Sequence, residues 1–140
     1  MNEPLPGSRL RRSLALAALA TALAGAWLTF VVMTVLPARD PSHSRLWSSV
    51  ATGCFLFSFM AGVCARSPAL TIAARLALFV ASSLVLAAGV YGIESMLRAP
   101  AARFEGYVLI LGAILAISGA IGLCFASLAG RFAPAPDARA

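Results

Sequence analysis

Four long apolar runs, separated by short segments that contain arginine and proline, constrain this 140-residue chain more than any other feature. The first run, from about residue 13 to 36, contains no charged residue, and the others cover about 46–65, 70–97 and 106–130. A helix of about 20 apolar residues is long enough to cross the hydrocarbon core of a bilayer. The pattern therefore predicts an all-α integral membrane protein with four transmembrane helices.

Composition supports the same fold class. The chain is 61% hydrophobic and 11% charged, whereas soluble domains are about one quarter charged. The first run is too long for the apolar region of a signal peptide, so we expect an uncleaved first span. Residues 1–12 and 131–140 are interpreted as polar tails, and Pro4, Pro6 and Gly7 argue against structure in the first tail.

The arginines predict how the spans are oriented. Seven arginines fall on the side of both termini and four on the other side, which favours cytoplasmic termini and an antiparallel four-helix bundle. Eleven arginines with no lysine, in an alanine-rich chain, are typical of a GC-rich genome. We therefore expect a bacterial inner membrane protein.

Local signals place several residues at helix ends. Ser67 and Pro68 form a favourable cap and first position for the third helix. Trp47, Tyr91 and Tyr107 are expected at the outer interface, and Trp27 is expected to pack between helices. Trp47 and Tyr107 follow similar loops at an offset of sixty residues, which weakly suggests two repeated helical hairpins in parallel orientation.

Glu94 is the one acidic residue within a predicted span, near the end of the third. An ionisable residue there is a candidate functional site. Glu94 and Arg98 are spaced for a local ion pair. With Arg45 and Arg103, which fall on the same predicted side, they also form a candidate outer-face site for an anionic lipid or lipid-linked substrate.

Small residues recur on helix faces at spacings that allow close helix packing in lipid. The fourth span carries the longest such stripe. This face serves either packing within the chain or docking of a partner helix, and the sequence alone does not separate the two. The predicted helix-packing face consists of Gly62, Gly92, Gly112, Ser118, Gly122, Ala126 and Gly130.

Metal, cofactor and enzyme functions have little support in the sequence. Cys54 and Cys64 lie about 15 Å apart on one helix, so with Cys124 they are interpreted as reduced packing residues. His43 is the single histidine, and no cluster of metal-ligand spacing surrounds it. No base is placed to activate the intramembrane serines, and the scattered arginines form no nucleic-acid patch.

The sequence leaves two functional hypotheses. The first is a non-enzymatic accessory protein or complex subunit that binds other membrane proteins, or itself, through its small-residue faces. The alternative is a small transporter or flippase component that uses Glu94 and the outer-face arginines. No cofactor is expected for either function, and both functions place the protein in a lipid bilayer.

Overall fold

A computed structural model describes residues 6–34, 41–67, 70–98 and 105–129, with side chains for 7–34, 45–67, 70–98 and 108–129. The described chain forms four helices and contains no strand. The helices are α1 (Pro6–Thr34), α2 (Pro41–Arg66), α3 (Ile72–Arg98) and α4 (Glu105–Leu128). Each is long and apolar enough to cross a membrane. The predicted all-α fold with four candidate spans, which is the pattern of a multi-pass membrane protein, is confirmed.

Two helices begin earlier than the apolar runs indicate. α1 begins at Pro6 and α2 at Pro41, so residues 6–12 and 41–45 are helical although the sequence suggested a tail and a connection there. Proline is favourable at the first helical position, where its missing N–H removes no internal hydrogen bond. The argument that Pro6 and Gly7 exclude structure is therefore wrong.

The start of α3 also differs from the prediction. The Ala74 N–H donates to Thr71 Oγ1 at 3.2 Å, which makes Thr71 the N-cap of the helix that begins at Ile72. The Ser67 N–H instead donates to the Val63 carbonyl at 3.0 Å and extends the last turn of α2. Ser67 as the cap of α3 is thus wrong, and Pro68 lies outside the described residues.

The helices pack as two hairpins. α3 has its most extensive contacts with α4 and α1 with α2, while α1–α4 and α2–α3 contacts are fewer and similar to each other. In the first hairpin, Ser58 Oγ donates to the Ala18 carbonyl at 2.7 Å, and Gly25 lies against Cys54. In the second hairpin, Gly89 lies against Ala116. As residue numbers rise along α1, from Ala18 to Gly25, the numbers of the α2 residues that they contact fall, from Ser58 to Cys54.

Burial follows the same pattern in both hairpins. At an offset of 64 residues, each of the five buried residues of α3 aligns with a buried residue of α1. At an offset of 61, each of the five buried residues of α2 aligns with a buried residue of α4. The aligned positions are 14/78, 18/82, 21/85, 25/89 and 28/92 for the first helices, and 51/112, 54/115, 57/118, 61/122 and 64/125 for the second helices.

The contacts between helices obey the same offsets. Gly25 faces the Ala51 carbonyl in the first hairpin, and Gly89 faces the Gly112 carbonyl in the second. In the first hairpin the Ala18 carbonyl accepts a hydrogen bond from Ser58. At the aligned positions of the second hairpin, the Ser82 carbonyl lies against Gly119. The hairpins therefore share one crossing geometry. At this offset Trp47 aligns with Val108, one residue after Tyr107, with which the sequence had paired it.

The core lies between the two hairpins and within each of them. Its largest fully buried side chains include Leu14, Phe57, Leu78 and Leu115. Large apolar side chains also point outward from all four helices, as expected of a surface that contacts lipid. Trp27 is 49% exposed, so its predicted packing between helices is wrong within this chain.

Candidate functional site

Glu94 and Arg98 lie in the last turn and a half of α3, where they form the predicted i,i+4 ion pair. Arg98 Nη2 donates to Glu94 Oε1, and the two side chains are 52% exposed for Glu94 and 78% exposed for Arg98. The pair is therefore a surface feature. Exposed helical ion pairs of this kind contribute about 0.3–0.5 kcal/mol, which is a local effect.

The other members of the predicted outer-face site do not join this pair in the described structure. Arg45 is exposed near the start of α2. This part of α2 lies at the same end of the molecule as the end of α3, because Gly92 approaches both Trp47 and Val108. Arg103 lies outside the described residues. The described side chains thus give Glu94 one cationic partner, on its own helix.

The predicted helix-packing face of α4 is largely directed at α3. A Cβ atom at Gly112 would lie 2.9 Å from Ile93 Cγ1 and 3.0 Å from the Gly89 carbonyl oxygen. A Cβ at Gly122 would overlap Ser82 Oγ and lie 2.8 Å from Phe57 Cε2. Glycine is therefore favoured at both positions, because a Cβ there would force neighbouring groups to shift.

Other members of that face differ in their surroundings. Ser118 and Ala126 are buried, and Gly92 is buried with only ordinary contacts, the nearest atoms being 4.0 Å from a built Cβ. Gly62 has nothing within 4 Å of a built Cβ, so it takes no part in close packing within the chain. Its contact with a partner stays a prediction, and Gly130 lies outside the described residues.

Two close-approach glycines were missed by the sequence argument. A Cβ at Gly89 would lie 2.5 Å from the Ala116 amide nitrogen, and one at Gly119 would lie 2.7 Å from the Leu86 amide nitrogen. The available signal was the spacing of Gly112 and Gly119, seven residues apart on one face of a helix. The prediction followed spacings of four and passed over this pair.

Polar side chains inside the helices are mostly satisfied by their own backbone. Thr21 Oγ1 and Ser82 Oγ each donate to the carbonyl four residues earlier, both at 2.6 Å. Ser58 is different, because its bond to the Ala18 carbonyl crosses from α2 to α1. The Ser58 bond stabilises the association of α1 with α2. Thr21 and Ser82, whose hydroxyls are bonded to their own helices, are unsuited to act as nucleophiles without a neighbouring base.

Arg75 makes a contact between helices that the sequence did not indicate. Its Nη2 donates to the Ala126 carbonyl at 3.2 Å, in the last turn and a half of α4, where carbonyls lack partners within the helix and a positive charge is favourable. Its Nε is buried without a hydrogen-bond partner. One edge of its guanidinium is therefore held against α4.

Beyond Ile117, which is itself 60% exposed, the outward face of α4 carries small side chains. Ala120, Cys124 and Ser127 are exposed there, spaced four and three residues apart. On α1, by contrast, large side chains such as Leu16, Leu23 and Phe30 point outward, each 59–66% exposed. The exposure of Cys124 contradicts its interpretation as a packing residue within this chain. Cys54 and Cys64 are buried and unpaired, as a packing role requires.

The described residues contain no group of three or more histidine, cysteine, aspartate or glutamate side chains that could hold a metal ion. No protein-family model, curated protein or solved structure matches this chain. The fold and the site therefore define a class only: a four-helix chain with the length and hydropathy of a multi-pass membrane protein. Its described charged side chains lie near the helix ends.

Proposed function

We propose that this protein is a small, non-enzymatic subunit of a larger membrane complex, and that a transmembrane helix of another protein packs against the outward face of α4. The observation that carries the proposal is the exposure of Ala120, Cys124 and Ser127 on that face. Small side chains let helix backbones approach closely in lipid. The inward stripe of α4 is occupied by α3, so the outward face is the one left for a partner.

The proposal includes an antiparallel bundle in a bacterial inner membrane with both termini in the cytoplasm. The opposing order of contacts in each hairpin supports the antiparallel arrangement. The orientation is supported by arginines Arg9, Arg11, Arg12, Arg66 and Arg75, which lie at the end formed by the starts of α1 and α3 and the ends of α2 and α4. We call these five residues the basic end. Membrane proteins retain such residues in the cytoplasm.

The docking proposal is tested by comparing two substitutions of equal size. Ala120→Leu fills the outward face of α4, whereas Ala87→Leu adds the same side chain at an exposed position of α3. The full-length tagged protein is purified gently from its native membrane, and copurifying proteins are quantified by mass spectrometry. We expect a stoichiometric membrane partner that Ala120→Leu reduces at least tenfold and Ala87→Leu retains.

Two results would contradict this proposal. The first is a partner that both variants retain equally, which would place the interface elsewhere on the molecule. The second is recovery of the chain only by itself, alone or as a homo-oligomer, which would remove the subunit function. Circular dichroism of the purified variants serves as the folding control, because Ala120→Leu changes no buried contact of the described structure.

The alternative function, a small transporter or flippase component, has less support. Glu94 lies near the end of α3 and is half exposed, whereas coupling sites of transporters lie near the midplane. The residue of the first hairpin that aligns with it is Phe30, so the carboxylate occurs in one hairpin only. Glu94→Gln discriminates the two functions, because a carrier would lose transport and a subunit would keep its partner.

A further inference from the structure

The repeat allows the exposed surfaces of the two hairpins to be compared at the basic end. In the first hairpin three arginines are exposed there, Arg9 and Arg12 on α1 and Arg66 on α2. None of their guanidinium groups has a hydrogen-bond or ion-pair partner in the described part of the chain. The other two members of the basic end are engaged, Arg11 through an interaction of its own and Arg75 through its bond to α4.

The three exposed arginines lie near one another, around the start of α1 and the end of α2. Ser58 is bonded to the Ala18 carbonyl, and residue numbers run in opposite directions along the two helices. Arg9 precedes Ala18 by nine residues. Arg66 follows Ser58 by eight, so it reaches about the same level as Arg9. Arg12 lies about 4.5 Å further along α1, on the same side of the helix as Arg9.

The second hairpin is uncharged at the equivalent surface. The residues that occupy the aligned positions are exposed and neutral. At the offsets of the repeat, Arg9 aligns with Ala73, Arg12 with Leu76 and Arg66 with Ser127. The buried positions of the two hairpins correspond, whereas their exposed surfaces at this end differ by three positive charges.

The charge of the first hairpin is not balanced within the chain. Glu94 is the one acidic residue whose side chain is described, and it lies at the opposite end of α3. The sequence segments before α1 and after α4 contain Glu3 and Asp137, but they also contain Arg131 and Arg139. These segments therefore add no net negative charge, and the exposed arginines attract anions from outside the chain.

The level of these arginines in the membrane indicates which anion is available. Arg12 directly precedes the apolar run of α1, and Arg66 ends α2. Arginine beside an apolar span extends its charged group to the headgroups, and a leaflet that contains anionic phospholipid attracts basic residues at this level. Headgroups surround a membrane-spanning chain at this depth, whereas an acidic protein segment has to be brought there.

We propose that the first hairpin concentrates anionic phospholipids around its basic end through the positive charge of Arg9, Arg12 and Arg66, and that the second hairpin does not. The attraction depends on charge and not on a shaped phosphate site, so lysine can replace arginine. Neither the complex-subunit function nor a partner protein is required for this binding, because it follows from the exposed charge of one hairpin.

The test measures lipid preference beside each hairpin separately. Val63 and Cys124 are exposed and occupy equivalent positions of α2 and α4, and the other two cysteines are buried. A fluorescent group on Cys124 is the second-hairpin label, and the same group on the Val63→Cys, Cys124→Ala variant is the first-hairpin label. The full-length protein is reconstituted in bilayers, and brominated phosphatidylglycerol and brominated phosphatidylcholine are compared as quenchers. We expect phosphatidylglycerol to be preferred about fivefold beside the first-hairpin label, and not beside the second.

Substitutions identify the charges that are responsible. Glutamine at all three exposed arginines should remove the preference at the first-hairpin label, and lysine should retain it. Arg12→Leu with Leu76→Arg keeps the net charge and moves one positive charge to the second hairpin, so the preference should fall at the first label and rise at the second. Arg45→Gln with Arg98→Gln, at the other end, should leave it unchanged. Salt at about 1 M should weaken the preference in the unsubstituted arginine background, because the Debye length falls to about 3 Å.

Several results would overturn the proposal. Equal preference at both labels, or none at either, would show that the charge of the first hairpin does not select lipid. A preference that survives glutamine at the three positions, or that does not follow the charge moved to α3, would contradict the assignment to these residues. Loss of preference with lysine would indicate a shaped phosphate site instead. Circular dichroism is the folding control for the variants, and the salt dependence requires no change to any arginine.

Discussion

Gly89→Ala tests the closest approach of a described glycine to the backbone of another helix. The added Cβ would lie 2.5 Å from the Ala116 amide nitrogen, 2.7 Å from the Gly112 carbonyl oxygen and 3.0 Å from Ala116 Cα. All three are backbone atoms of α4, so no change of rotamer relieves the overlap. Ordinary Cβ contacts begin near 3.4 Å, and α3 and α4 would therefore have to separate by almost 1 Å.

The expected loss of stability follows from two opposing effects. Overpacking of this kind destabilises by about 1–3 kcal/mol, whereas replacing glycine by alanine in a helix favours the helix by about 1 kcal/mol. Gly53→Ala isolates the second effect, because nothing lies within 4 Å of its built Cβ. We expect Gly53→Ala to be neutral or stabilising and Gly89→Ala to be less stable than it by about 1–3 kcal/mol.

The measurement is reversible unfolding in mixed micelles, followed by circular dichroism as the denaturing detergent is increased. Gly25→Ala provides a graded comparison, because its Cβ would meet Cys54 Cβ at 3.0 Å and no closer atom. We expect the free energy of unfolding to fall in the order Gly53→Ala, Gly25→Ala, Gly89→Ala. Equal stability of Gly53→Ala and Gly89→Ala would refute the close approach of α3 and α4.

Four further substitutions separate local from tertiary interactions. Ser58→Ala removes the bond to Ala18 and should destabilise by about 0.6–1.7 kcal/mol, whereas Ser82→Ala removes a bond within its own helix and should be nearly neutral; equal effects in the same unfolding assay would contradict this. Thr71→Ala removes the α3 cap and should lower stability by about 0.5–2 kcal/mol; no change in amide exchange in the first turn of α3 would contradict it. Glu94→Gln should change stability by less than about 0.5 kcal/mol, and a larger loss would indicate partners beyond the surface ion pair.

The helices could be predicted because hydropathy dominates at this composition. Each span is an apolar run long enough to cross a bilayer. Exposing such a run to water is unfavourable however the helices pack together. The ends were predicted less well. Pro6 was taken as evidence against structure, and the second span was expected from about residue 46, whereas α1 begins at Pro6 and α2 at Pro41; proline is favourable at a first helical position. Ser67 was predicted as the cap of α3, whereas Thr71 caps it in the structure. Both residues have the required hydroxyl, and the sequence does not show that the Ser67 N–H extends the last turn of α2.

There is a physical reason why the sequence does not predict which side of each helix points into the bundle. In a soluble protein the polar face of a helix identifies the outside, but in these spans both faces are apolar. Small residues mark close packing, yet α4 carries them on two faces, and the inward one was recognised only in part. Gly119 and Gly89 were missed, while Gly62, which follows the same spacing rule, has open space beside it.

Arg75 shows the same limit for a polar residue. Arginine beside an apolar run ordinarily turns its charged head toward water, and the local spacing indicates no partner for it. Its bond to Ala126 depends on α4 ending beside the start of α3, which is a property of the fold. A contact between residues 51 positions apart is not visible in local spacing.

At one contact between the hairpins the aligned residues differ in size, which obscures the repeat in the sequence. Phe57 of the first hairpin aligns with Ser118 of the second, and Ala61 aligns with Gly122. The Phe57 ring packs against Gly122, so a large side chain of one hairpin occupies space left by a glycine of the other. Gly122 does not align with Phe57, so the same contact with the hairpins exchanged would pair Ser118 with Ala61, two small side chains. The large side chain of this contact is therefore present in one hairpin only, whereas Gly25 and Gly89, which lie at the crossing inside each hairpin, are the same.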